Sequence, residues 1–302
     1  MEAVEMYREE MIERILARQE EDAHIIQTSI PTLSFYTSTT TSEFAAVVYE
    51  PSLCLVLQGS KAIVLGDELQ SYDPNKYLLA SIHLPTRVRI MEASVEKPYV
   101  SIKLTFSMED IFDVMKSMDL SKKPLSPKPE RGICLGEIST KLLDPITRLI
   151  RLLDTPESQR FMAPMITKEI LFILMNEEGG DFLKKYVMDG SITQQIVKVI
   201  SKIKDDFSEA INMKELAKMY GMSESSLYHN FKKVTLLSPL QFQKNLRLEE
   251  ARRILLTHDI DASDVAFAVG YESPSQFSRE YARMFGLPPK MYAKTAQLVQ
   301  EA

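Results

Sequence analysis

The sequence predicts an α+β chain: a small antiparallel β-barrel with flanking helices, then an all-α domain of two helix-turn-helix motifs joined by a long helix. Three observations predict it. Short apolar runs broken by turn residues fill the span from about 47 to 106, and helical periodicity takes over after 107. Past residue 213, one pattern of Ala, Gly, Ser and aromatic residues occurs twice, about fifty residues apart.

In order along the chain, residues 1–22 place Met6, Met11, Ile15 and Leu16 at roughly helical spacing, which predicts a short amphipathic helix. "TSTTTSE" at 37–43 reads as a loop or mobile arm. "SLCLVLQGSKAIVLGDELQSYDPNKYLLASI" is punctuated by Gly59, the Gly66-Asp67 pair and Asp73-Pro74-Asn75, the residue types that turns select. "YVSIKLTF" alternates. Val100, Ile102, Leu104 and Phe106 fall on one side and Tyr99, Ser101, Lys103 and Thr105 on the other, as in a half-buried strand. Several short strands at this spacing favour a small barrel or sandwich over a parallel sheet.

Ser107 is placed to cap "MEDIFDVMKSM", with Asp110 three residues on as in a capping box. The three prolines of "SKKPLSPKPERG" at 121–132 make it an exposed connection. Segments 137–154 and 157–177 read as two amphipathic helices. The second is apolar around much of its circumference from Ile170 to Leu174, so one face is expected to meet the barrel and another a second subunit. Gly179-Gly180 and Gly190 punctuate the chain before the last unit. The expected division is 1–185, with the barrel at about 30–106 and helices at about 107–185, and then 191–302.

The composition is that of an ordinary globular protein, with 45% hydrophobic and 26% charged residues in 302. No apolar run approaches the roughly 20 residues that span a bilayer, and the acidic, amphipathic N-terminus does not read as a signal peptide. Cys54 and Cys134 follow no metal or redox spacing, which suits reduced thiols in the cytoplasm. The net charge of −6 is unevenly spread: from residue 191 onward 15 basic residues face 13 acidic ones, leaving −8 on the rest. An anionic partner is therefore expected at the C-terminal third.

That third holds the repeat. "MKELAKMYGMSESSLYHNFKKV" contains Leu216-Ala217, Gly221, Ser223, Leu227 and Phe231; "DASDVAFAVGYESPSQFSREYARMFGLPP" contains Val265-Ala266, Gly270, Ser273, Phe277 and Tyr281. In both, Ala precedes Gly by four residues, and an apolar or aromatic residue recurs every four from the Ser onward. The small Ala lets two helices lie close, and Gly tolerates the positive φ where the first helix must turn. Ser223 and Ser273 can cap the second helix, and Pro274 suits its first position. Leu227, Phe231 and Val234 then share one face, as do Phe277, Tyr281 and Phe285. The opposite faces present Ser225, Tyr228, His229 and Lys232, and Ser275, Gln276, Arg279 and Arg283, groups able to bond base edges and phosphates. The joining helix, from Pro239 to Leu256, spans about 27 Å at 1.5 Å per residue. That is near the ~34 Å between successive major-groove faces of one duplex.

With "LAKMYGMSESSLYHNFKK", "SPLQFQKNLRLEEARRILL" and "DVAFAVGYESPSQFSREYARMFGLPPKMY", the chain from about 191 resembles the DNA-binding domain of the AraC/XylS family of bacterial transcription regulators. "EPSLCLVLQGSKAIVLGDELQSYDPNKYLLAS" is similar to that family's N-terminal regulatory domain. The resemblance implies a cupin-like barrel that senses a small-molecule effector and dimerises. It implies base-reading roles for Ser225, Tyr228 and His229 in the first motif and for Ser275, Gln276 and Arg279 in the second. Lys232, Lys233 and Arg283 are the expected phosphate contacts. The implied partners are double-stranded promoter or operator DNA, a second copy of the chain and, for an activator, RNA polymerase, in the cytoplasm with no membrane. One departure stands out: Leu236 occupies a position where the family commonly has Gly, which predicts a different turn into the joining helix.

Other readings are weaker. A metal-dependent cupin enzyme needs His and carboxylate ligands clustered on neighbouring strands. Only His83 falls in the strand region, where an ordinary hydrogen-bonded histidine is expected; His24, His229 and His258 are scattered. No Gly-rich phosphate loop, Cys-His pair or nucleophile elbow occurs, so neither catalysis nor a cofactor or metal is expected. A helical adaptor for another protein does not account for twin motifs at groove spacing. DNA binding without an effector stays open: Tyr49, Tyr72, Tyr77, Arg87 and Arg89 could line a pocket, but surface strands carry such residues routinely.

Overall fold

The computed structural model describes residues 2–19, 24–65, 68–118, 131–177, 180–187, 192–258 and 260–292. The Gly66-Asp67 turn, most of the proline-rich connection (121–130), Gly179 and Gly190 lie outside the described residues.

After a first helix α1 (Glu2–Leu16), the strands follow as β1 (Ile25–Gln27), β2 (Leu33–Ser38), β3 (Ala45–Tyr49), β4 (Ser52–Gln58), β5 (Ser60–Leu65), β6 (Glu68–Tyr72), β7 (Lys76–Ala80), β8 (Leu84–Glu92) and β9 (Tyr99–Thr105). A further strand, β10 (Ile133–Glu137), lies past helix α2 (Met108–Lys116). They form two antiparallel sheets, β1-β2-β9-β4-β7-β10 and β3-β8-β5-β6. The strand-bearing span is thus wider than the expected 30–106 at both ends, because β1 pairs with β2 before residue 30 and β10 returns to pair with β7, Cys134 opposite Leu79. Ser107 caps α2 in a capping box with Asp110. The 39–44 stretch is an irregular loop held to β8 by the Ser42 and Ile90 backbones and the Ser42 hydroxyl, so a free arm is not what the structure contains.

Strand β9 corrects the expectation of a half-buried strand. Val100, Ile102 and Leu104 pack with Leu33, Phe35, Leu53 and Leu55 on the face covered by α1, whose Met11 and Ile15 are fully buried. Tyr99 and Ser101 are buried as well, because their face turns toward the second sheet rather than to water. Lys61 of β5 reaches across and lies over the Tyr36 ring of β2 at 6.0 Å. The space between the sheets is therefore polar, with Tyr36, Tyr49, Cys54, Tyr72 and Tyr99 around Lys61.

Helices α3 (Thr140–Arg151), α4 (Pro156–Asn176) and α5 (Gly180–Val187) pack on one another and on α1 and α2. Helix α4 buries Ile166, Ile170, Leu171 and Leu174, so Leu171 is core and unavailable to a second subunit. Its exposed apolar residues are Phe161, Met162, Met165 and Phe172.

The last part is helical: α6 (Ile192–Asp205), α7 (Met213–Met219), α8 (Glu224–Thr235), α9 (Pro239–Thr257), α10 (Ala262–Ala268) and α11 (Pro274–Phe285). Leu227, Phe231, Val234 and Phe242 join the core that continues from the sheets, whereas Val265, Ala266, Phe277 and Tyr281 form a second cluster with Leu248, Ala251 and Leu255 of α9. Each fully buried side chain of this size contributes about 1.5–3 kcal/mol.

Candidate nucleic-acid interface

The two helix pairs, α7–α8 and α10–α11, are built from the same local devices. Asn212 and Asp261 cap the first helices. Gly221 (φ 68°) and Gly270 (φ 88°) turn the chain in the left-handed region, where a Cβ is penalised. Behind each glycine the same backbone bond closes the turn: Met222 N donates to Ala217 O and Tyr271 N to Ala266 O, both at 2.9 Å. Ser223 and Ser273 then cap α8 and α11 through the amides of Ser226 and Gln276, and Pro274 occupies the first turn of α11. Both second helices end in a left-handed residue, Leu236 (φ 60°) and Gly286 (φ 82°). The two motifs therefore end in the same geometry although Leu stands in place of Gly in the first, at a cost of roughly 1–2 kcal/mol for a residue with a Cβ. The expected difference at that turn is absent because Leu236 also packs against the core.

Helix α9 sets the relation between the pairs. Gln243 Nε2 donates to the carbonyls of Phe207 (2.9 Å) and Glu209 (2.6 Å), in the turn between α6 and α7. Gly270 of the second motif abuts the same turn, where a Cβ would collide with the Ser208 carbonyl. One turn thus touches both motifs. Sequence reasoning missed Gln243 and its neighbour Arg247; the available signal was two polar residues four apart on one face of a helix otherwise committed to the core.

Ser225, Tyr228 and His229 are exposed on α8, and Ser275, Gln276 and Arg279 on α11. Ser223 and Ser273 set the starts of those helices, so each triplet lies in the first two turns, on the side away from Phe231 or Phe277. Lys232 and Lys233 are exposed in the last turn of α8, where a helix terminus favours cations. Among the described residues, Arg279 has no hydrogen bond or ion pair, whereas Arg247, Arg252 and Arg253 are all engaged. Arg283 differs in setting: with Met284, Arg87 and Lys244 it lines a cleft of about 230 Å³ between α9, α11 and the smaller sheet.

On the sheet side, Tyr49 and Tyr72 face each other at 3.4 Å between hydroxyls inside the inter-sheet space. Tyr77 pairs opposite Leu55, on the helix-covered face, and Arg87 and Arg89 stay outside near Phe44. His83 Nε2 accepts from Lys204 Nζ at 2.8 Å, and burial with that ammonium lowers its pKa to about 4. The described residues contain no cluster able to hold a metal ion, and no helix among them is long and apolar enough to cross a membrane.

Two capped helix-turn-helix units on one helical scaffold, beside a β-rich unit, define a DNA-binding protein of the helix-turn-helix class. The family model for the AraC-type transcriptional regulator N-terminus matches residues 29–182, and a helix-turn-helix domain model matches 216–295. The chain belongs to the AraC-type transcriptional regulators. The transcriptional activator RhaS of Escherichia fergusonii is 26% identical over 155 residues, 51% of this chain and 55% of that one, so the chain spans about half the length of that relative. The Msm operon regulatory protein of Streptococcus mutans is 24% identical over 217 residues, 68% of this chain and 71% of its own. In fold, the chain is similar to an apo form of ToxT from Vibrio cholerae, with a TM-score of 0.59 at 12% identity, covering 91% of this chain and 98% of that one.

Proposed function

We propose that the chain is a dimeric, cytoplasmic promoter-binding regulator that reads two successive major grooves, α8 in one and α11 in the next. The observation that carries the reading is the repeated capping and turn geometry, which leaves Ser225, Tyr228, His229, Ser275, Gln276 and Arg279 exposed on equivalent helices. Helix α9, 19 residues and about 28 Å long, separates them by close to one turn of duplex. Lys232, Lys233 and Arg283 supply phosphate contacts, which add affinity but no sequence information. The names of the RhaS relatives favour activation, with RNA polymerase as the partner. Selection of bound sequences from random DNA tests the proposal. Two blocks about 10 base pairs apart are expected, one lost on His229→Ala and the other on Arg279→Ala; a single block, or none, contradicts it.

The N-terminal half, in this reading, senses a small anionic effector between its sheets. Lys61 supports this: burial lowers its pKa, and no carboxylate among the described residues pairs with it, whereas Lys103 holds Glu50 at 2.5 Å. Lys61 is half-buried, and a cation drawn into the space between the sheets without a counter-charge is destabilised; the Tyr99 hydroxyl, beside Ser101, lies beyond Tyr36 in the same space. ToxT of Vibrio cholerae, similar in fold, has been crystallised with an unsaturated fatty acid. Carboxylic acids of graded chain length should raise the melting temperature of the wild-type chain and not of Lys61→Met; equal shifts in both place the ligand elsewhere.

A further inference from the structure

Within the reading face of α11 lies one carboxylate, and both of its oxygens are held. Glu280 Oε1 accepts from Gln276 Nε2 at 3.3 Å, one turn back on the same helix, and Glu280 Oε2 accepts from the Tyr271 hydroxyl at 2.9 Å. Tyr271 is itself fixed: it is buried, its ring stands edge-on to Phe277 with centroids 5.3 Å apart, and the Arg247 guanidinium lies 5.9 Å from its centroid. Burial, and then the adjacent Glu280, push the Tyr271 pKa up, so the hydroxyl remains a donor.

An ionised carboxylate only accepts hydrogen bonds, so the group facing it must be a donor. Gln276 therefore turns its NH2 toward Glu280. Of the two amide hydrogens, one points back along the side chain and the other lies on the edge shared with Oε1. When Glu280, a turn further along the helix, takes the first, the second stays free beside Oε1. The free edge then presents one acceptor and one donor in fixed order. In the major groove this pattern complements adenine, whose N6 amino group donates to Oε1 while N7 accepts from Nε2; guanine shows two acceptors there and suits Arg279 instead.

Resting on the reading face proposed above, we infer that Glu280 is a positioning residue: it orients Gln276 so that the second motif selects adenine at one position, distinct from the guanine read by Arg279. The carboxylate itself touches no base.

Sequences are selected from random DNA with the full chain and with Glu280→Ala, Glu280→Gln, Gln276→Ala and Arg279→Ala, and affinities are titrated on the wild-type site and its single-base variants. Wild type is expected to select adenine at one position of the second block. Glu280→Ala should cut the preference for that adenine about fivefold or more, and leave the Arg279-dependent guanine and random-DNA affinity within about twofold. Glu280→Gln, which still offers an acceptor to the amide, should keep the preference. In a Gln276→Ala background, Glu280→Ala should change the adenine preference no further, a result that simple loss of stability does not produce. The inference is overturned if Glu280→Ala keeps the adenine preference, weakens every position alike, or abolishes a preference for cytosine, whose N4 would then be read by Glu280 directly. A wild-type chain that selects no sequence, or an Arg279→Ala chain with an unchanged profile, removes the reading face itself and the inference with it.

Discussion

Arg247 Nε donates to the carbonyl oxygen of Phe207 at 2.7 Å, tying the helix between the motifs to the turn that precedes the first one. Its Nη2 reaches the Ser208 and Glu209 carbonyls at 3.0 Å each, so one planar guanidinium satisfies three backbone acceptors of a single turn. Because Gly270 abuts that turn, the bond also fixes where the second motif stands relative to the first.

Arg247→Ala should accordingly cost on the order of 3 kcal/mol in denaturant unfolding, since hydrogen bonds to a charged donor are worth about 1.5–3 kcal/mol each and the three are not independent. The same variant should bind sites with altered spacing between the two blocks almost as well as the original spacing. Arg247→Lys restores charge without the fork and should recover little. Wild-type spacing preference in Arg247→Ala would show that the turn does not set the relative aim of the motifs.

Glu249 of α9 makes stability depend on pH. Its Oε2 pairs with Arg252 at 3.0 Å, but the buried Oε1 has no hydrogen-bond partner, and burial raises the carboxyl pKa to about 7 against the pull of Arg252. The folded pKa lies above the unfolded value, so the folded state binds the proton more tightly. The group's contribution is fully present below about pH 4 and is lost as pH rises through 7. Unfolding free energy should fall by up to about 3 kcal/mol from this group between pH 4 and 8. Glu249→Gln should remove that slope; a variant with the wild-type slope assigns the dependence to other groups.

A fragment of residues 188–302 should fold and retard promoter DNA bound by the full chain. The second motif has its own core on α9, and α6 supplies Ile196, Val199, Ile200 and Ile203 to the first. Circular dichroism of an unfolded fragment, or a folded one that leaves DNA unshifted, would contradict the proposed boundary.

Dimerisation is expected through the exposed stripe of α4 at Phe161, Met165 and Phe172, three apolar residues on one helix face that the core leaves uncovered. Phe161→Glu and Phe172→Glu should each sediment as monomers while remaining folded. Leu171→Glu, by contrast, buries a charge in the core and should unfold the chain. Two folded α4 variants that stay dimeric would place the contact on another surface.

The twin motifs were legible in the sequence because their signals are local: a serine cap, a glycine at positive φ and an aromatic residue every four positions act within single helices. Non-local relations were not. The alternation of "YVSIKLTF" marks two environments, but not that the Tyr99–Ser101 side faces another sheet instead of water. Strand β10 was hidden because "ICLGE" is short and sits between a proline-rich connection and a helix; only its pairing with β7 makes it a strand. The run from Ile170 to Leu174 is apolar on most sides, and only packing separates buried Leu171 from exposed Phe172. The spacing of Gln243 and Arg247 marks a polar site on a core helix, but not which carbonyls Arg247 grips, since every turn has such acceptors.

The central claim, that exposed side chains early in α8 and α11 read bases while those near the helix ends hold phosphates, is tested most directly by comparing Arg279→Ala with Lys232→Ala. Affinity is measured for a selected operator and for random DNA at several salt concentrations. Arg279→Ala should weaken the operator by roughly 1–3 kcal/mol and barely affect random DNA, relaxing preference at one base position. Lys232→Ala should weaken both alike and lower the salt dependence by about one unit of slope. Equal losses for operator and random DNA in Arg279→Ala would make Arg279 a phosphate contact and contradict the assignment of the reading face.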